Sequence, residues 1–210
     1  MTIHSVALGE EATRVVDAFV AVARPPMVRC WGKACCINAT RAALWVMRHY
    51  GIPAAPFPCK LAVSNEASNV AKIVGFTEQE RIDTTARCRP ERVLDRHVPG
   101  EGWPGHLALV VKRQLLLDPS FDQAAEPEMG LHIPEEVLAL PVPKSFVRGT
   151  KTLIVGAELD NGAHLKIQYW PSKDWSFRRE EAWSGTDALF MAMGIVRMID
   201  ARLAGMPLGP

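Results

Sequence analysis

The sequence predicts an α+β protein, with N-terminal helices packed on an antiparallel sheet and a helix closing the chain. Three observations predict it. Apolar residues recur at helical spacing in two segments before residue 51. Two apolar runs broken by polar turns read as hairpins, "GHLALVVKRQLLLDPS" and "TLIVGAELDNGAHLKIQYW". The tail "GTDALFMAMGIVRMIDARLAG" returns to the helical period. Helices and strands are largely segregated along the chain, the mark of α+β rather than of alternating α/β.

Glu10 to Ala23 sets Val15, Val16, Phe19, Val20 and Val22 broadly on one side, with acids at the start and Pro25-Pro26 as the predicted stop. Arg29 to Cys36 reads as a loop. Ile37 to Tyr50 reads as a second helix, halted by Gly51 and Pro53. "PFPCKLAVSN" is strand-like, and its prolines suit an edge or a strand entry. Glu66 to Arg96 reads as short helices and loops, and Gly130 to Pro143 as the longest connection. Leu107–Val111 and Leu115–Leu117 form the first hairpin across Lys112-Arg113. Asp160-Asn161-Gly162 turns the second. Thr186 or Ser184 caps the closing helix, and Gly205 ends it. With no repeat and no low-complexity linker, residues 1–210 are expected to form a single domain.

Composition narrows the function classes. The 210 residues are 48% hydrophobic and 22% charged, with 24 Lys and Arg against 23 Asp and Glu. A net charge of +1, with the cations scattered, gives no reason to expect nucleic acid or an anionic membrane as a partner. No segment reaches the roughly 18 apolar residues of a membrane helix. Acids and Arg14 interrupt the N-terminus where an export signal would be apolar, so a cytoplasmic protein with reduced thiols is expected. The five cysteines, Cys30, Cys35, Cys36, Cys59 and Cys88, include no Cys-x-x-Cys pair and fit no zinc template. Neither metal nor cofactor is expected.

"CCINATRAALWVMRHYGIPA" places two thiols at the head of an apolar helix. Partial positive charge at a helix N-terminus favours a thiolate, and a thiol nucleophile also needs a His and a group to orient it. His106 opens the first hairpin and Asp118 ends it, 12 residues later, so a tight turn makes them neighbours. A helix crossing that sheet with its N-terminus at the same end brings Cys36 to the imidazole. Cys35 is an alternative thiol and Asp122 a rival carboxylate. The bland reading makes Cys36 a core residue and Asp-Pro-Ser an ordinary turn opener. Trp170, Trp175 and Trp183 read as core packing or as an aromatic wall.

Cys36, its apolar helix and Gly51-Ile52-Pro53-Ala54, followed by "GHLALVV" and "LLLDPSFDQ", resemble the transglutaminase-like, papain-like cysteine enzymes across roughly residues 28–123. The chain is also similar to the arylamine N-acetyltransferases, which share the Cys-His-Asp order, although the Arg-Gly-Gly before their Cys is missing. The resemblance implies a papain-like core, with Cys36 as nucleophile, His106 as general base and acid, and Asp118 as orienting carboxylate. It implies acyl transfer through a thioester on a peptide, protein or small amide or acyl substrate, by a peptidase, amidase or acyltransferase. No Gln stands just upstream of Cys36 to complete an oxyanion hole. A protein-binding module that keeps the fold without using its triad is the other expectation. Oligomeric state is not legible.

Overall fold

The computed structural model describes residues 8–32, 35–77, 79–80, 82–83, 92–94, 102–158 and 164–206. It is a mixed α+β architecture in which helices pack on a sheet, eight-stranded among the described residues. Helix α1 (Glu10–Val22) begins with Glu10 and Glu11, whose charges suit the helix dipole, and buries Val15, Val16, Phe19 and Val22. The prolines expected to close it do not. Ala23 alone separates α1 from α2 (Arg24–Trp31), and Pro25 and Pro26 occupy the first turn of α2. A missing N–H there removes no helical hydrogen bond, and the fixed φ is already helical. The segment read as a loop from Arg29 is therefore helical through Trp31.

Helix α3 (Cys36–His49) ends in a Schellman motif. Gly51 takes φ +64, its N–H reaches Arg48 O at 3.0 Å, and Ile52 N–H reaches Met47 O at 2.9 Å. Met47 and Ile52, the motif's apolar pair, are both buried. Pro53 then forbids any continuation, so "GIP" sets the point at which the chain leaves for the sheet.

Strand β1 (Ala54–Asn65) is the hub of the sheet rather than an edge. Its first half pairs with β4 (His106–Val111), and its second half lies between β2 (Val70–Val74) and β8 (His164–Pro171). Pro56 and Pro58 are tolerated because they fall in the first half, before β8 pairs at Cys59, where only one flank is bonded. The Glu66–Arg96 segment contains β2 and β3 (Arg92–Leu94), which pair parallel, so the sheet is not purely antiparallel. The proposed Gly130–Pro143 connection contains β6 (Leu138–Pro141), paired with β5 (Leu115–Asp118). Strand β7 (Leu153–Glu158) pairs with β8, while the Asp160–Gly162 turn predicted between them lies outside the described residues. Helix α4 (Asp187–Leu203) follows Thr186 and stops before Gly205, φ +70, as read from the sequence.

Two cores flank β4 and β5. One gathers α1, α3 and α4 around Leu109, Val111, Leu115 and Leu117. The other gathers Ala108, Val110 and Leu116 with Leu61, Ile167, Tyr169, Phe121 and Phe146. Both strands are buried at every position, which is why they read as unbroken apolar runs rather than alternating ones. Among the described residues no helix is long and apolar enough to cross a membrane.

Candidate active site

The β4–β5 hairpin turns on Lys112 (φ +47) and Arg113 (φ +57), two left-handed residues in succession that match the twist of the flanking strands. Val110 faces Leu116 and Leu109 faces Leu117. The same register carried one step further sets Asp118 opposite Ala108, so His106 and Asp118 form a diagonal pair on one face. Side chains this long span such a diagonal. His106 Nε2 and Asp118 Oδ2 are 2.6 Å apart, both residues fully buried.

Asp118 is satisfied from several sides. Tyr169 OH donates to Oδ2 at 2.7 Å from β8, and Ser120 N–H donates to Oδ1 at 3.1 Å from the turn that Pro119 initiates. Burial alone would raise its pKa, but the imidazolium, these donors and the Tyr169 hydroxyl hold it below the ordinary carboxylate range. Burial likewise opposes charge on His106. The Asp118 carboxylate outweighs it, with a further contribution from Cys36 as hydrogen-bond partner and charge, and lifts the imidazole to about 10. The ring is therefore an imidazolium at neutral pH.

Cys36 reaches this ring because α3 is pinned to β4. Thr40, one turn after Cys36 and on the same helix face, donates its hydroxyl to Leu107 O at 2.7 Å. Cys36 is the first residue of α3 and is half-buried. With Nε2 committed to Asp118, Nδ1 is the nitrogen that can exchange a proton with the Cys36 thiol. The structure thus brings together all three residues singled out from the sequence.

The neighbouring thiols are held differently. Cys35 is buried, and Arg24 donates to its Sγ at 3.3 Å; burial nevertheless pushes the Cys35 pKa up. Cys59, fully enclosed, donates toward His106 O at 3.6 Å, and its pKa is raised by burial and by the nearby Asp118 and Cys36 charges. Cys30 is exposed on α2, and Cys88 lies outside the described residues.

Two residues went unrecognised in the sequence. The Gln123 carboxamide contacts His106 Nδ1 from the one-turn helix Phe121–Ala124. Nδ1 of an imidazolium carries a proton, which the carboxamide accepts through its oxygen once the amide is rotated by a half-turn. Arg24, fully buried, forms an ion pair with the equally buried Asp122. One guanidinium so ties the residue before Cys36 to the residue before Gln123. Asp122, weighed as a rival to Asp118, is committed to Arg24 instead.

The tryptophans divide. Trp170 packs on Phe76, while Trp103 and Trp183 close around Phe177 beside the exposed Trp175. The Trp103 ring also lies against Gly105, the residue before His106, leaving no room for a Cβ. Comparison with protein-family models, curated proteins and solved structures returns no match.

Proposed function

We propose that the protein is a cysteine acyl-transfer enzyme with a papain-like, transglutaminase-like core, acting through a thioester on Cys36. One observation carries the reading: a fully buried His106–Asp118 pair holds the imidazole charged beside a half-buried cysteine at a helix N-terminus. With the proton of Cys36 held on Nδ1 of the imidazolium, the Cys36 thiolate attacks the acyl carbonyl carbon. Collapse of the tetrahedral adduct breaks the bond to the leaving amine, and the Nδ1 proton goes to that nitrogen. Water or an acceptor amine then attacks the thioester carbonyl, gives its proton to His106, and releases the Cys36 thiolate. Asp118 fixes the ring's tautomer and offsets its charge without itself taking a proton. Peptidase or amidase activity is favoured, since water is always at hand.

Gln123 belongs to this reading as the residue that covers Nδ1 at rest. It turns aside or rotates its amide as the ring exchanges its proton. A second reading, a binding module with an unused triad, is favoured by that same covering contact and by two grooves that neither Cys36 nor His106 lines.

The test is direct trapping. The protein is mixed with activated acyl esters and peptidyl amides, quenched in acid and mapped by peptide mass spectrometry. The enzyme reading expects an acyl adduct on the Cys36 peptide that vanishes in Cys36→Ala and falls by about two orders of magnitude in His106→Ala. Acylation spread equally over Cys30 and Cys36, or unchanged in His106→Ala, sinks it.

A further inference from the structure

Cations scattered through the sequence are gathered by the fold. A groove of about 480 Å³ runs along the open flank of β1 from Pro53 to Pro58 and is walled by the β4–β5 turn, the segment Val147–Gly149 and the end of β8. Arg113, Arg148 and Lys173 line it, all exposed, and none of their side chains is in an ion pair or hydrogen bond among the described residues. No Asp or Glu among the described residues lines it. Lys112 also borders the groove but is committed to Leu8 O at 2.5 Å. Phe57, Val147 and the exposed Trp175 supply apolar surface between the charges.

The backbone here is equally one-sided. Pro58 O accepts from Ser172 N–H at 2.9 Å, so Pro58 directs its backbone polar group away from β4; strand alternation sends those of Pro56 and Ala54 the same way. Along this flank prolines remove the donors and leave the carbonyls of Ala54 and Pro56 unused by any strand among the described residues. The flank receives N–H groups and scarcely offers any.

We propose that this groove binds an extended, acidic segment of polypeptide. Its backbone N–H groups meet the Ala54 and Pro56 carbonyls, its carboxylates meet Arg113, Arg148 and Lys173, and an apolar side chain packs against Trp175. The six residues Pro53–Pro58 span roughly 17 Å at strand rise, so about six residues of ligand fill the groove. Backbone acceptors at strand spacing favour peptide over nucleic acid, whose backbone carries no N–H donors. One end lies beside the candidate site, because Cys59, the neighbour of Pro58, pairs with both His106 and Pro171. The proposal stands apart from the role of Cys36.

It is tested by fluorescence anisotropy with a labelled peptide of about six alternating Glu and Leu residues, using Cys36→Ala protein so that turnover plays no part. The Gln-Leu and Lys-Leu peptides, a backbone N-methylated Glu-Leu peptide and a thymidine oligonucleotide of equal charge serve as comparisons. The acidic peptide is expected to bind tightest, to weaken as salt rises, and to lose about tenfold or more in Arg113→Glu/Arg148→Glu/Lys173→Glu. N-methylation should weaken it as well. Circular dichroism and thermal unfolding of the triple variant should match the parent, since all three side chains are exposed. Equal binding of the three peptides, no loss in the correctly folded triple variant, no effect of N-methylation, or tighter binding of the oligonucleotide each overturns the proposal.

Discussion

The two hairpins look alike in the sequence, each a pair of apolar runs around a polar turn, yet they live in different surroundings. Strands β4 and β5 are buried at every position, between the helical core and the core around Tyr169. Strands β7 and β8 alternate buried or half-buried residues with more exposed ones, and Ile154 and Lys166 face water. The same supersecondary unit thus serves as a partition in one place and as a cover in the other. A charge pair on the partition sits in a dry setting where Coulomb attraction is strong and desolvation costly. On the cover the same pair would contribute little.

That contrast makes graded predictions. Asp118→Ala leaves the imidazolium and the Tyr169 hydroxyl uncompensated in the interior and should cost about 3–5 kcal/mol. Lys166→Ala on β8 should stay within about 0.5 kcal/mol. Urea unfolding of both variants decides it, and similar losses would dissolve the distinction between the hairpins.

Arg24→Met removes the buried guanidinium paired with Asp122 and should cost about 3 kcal/mol, while Arg24→Met/Asp122→Leu should recover most of that loss. A double variant no better than the single would show that the guanidinium matters for its other contacts.

The pH dependence carries opposite signs at its two ends. His106 has its pKa raised to about 10, so its contribution is complete below the ordinary histidine range of about 6.5 and is lost as pH climbs through 10. Asp118 has its pKa lowered, so its contribution is present above the ordinary aspartate range and is lost as pH falls through the depressed value. Stability measured across pH should show both limbs, and His106→Ala/Asp118→Ala should lack them. A smaller loss than that of either charge-pair variant is expected for Thr40→Val, about 1 kcal/mol, from the lost bond to Leu107 O.

What the sequence disclosed was local. The His106–Asp118 contact follows from one tight turn, and the end of α3 from Gly51-Ile52-Pro53, where each residue has a stated role in the motif. What it concealed was long-range. Nothing in "PFPCKLAVSN" announces that β1 borders three strands, because the prolines describe only its first half. Strand β6 is four residues long and ends in Pro141, too short for a period to register. Arg24 escaped because a charged residue beside two prolines reads as surface, and only the fold supplies Asp122. Gln123 lay in plain view, five residues after Asp118 in "DPSFDQ". A helical turn folding back from the strand end could have flagged it, but a lone Gln carries no periodicity and no charge.

The central claim of the proposal is that His106 activates Cys36 as a nucleophile. The direct measurement is the rate of iodoacetamide labelling at each cysteine, by peptide mass spectrometry from about pH 5 to 9, in the wild type and His106→Ala. The account predicts that Cys36 labels fast well below the usual thiol pKa of about 8.5, that Cys35 and Cys59 stay slow, and that the advantage of Cys36 disappears in the variant. Labelling of Cys36 no faster than the exposed Cys30, or equally fast without His106, would contradict it.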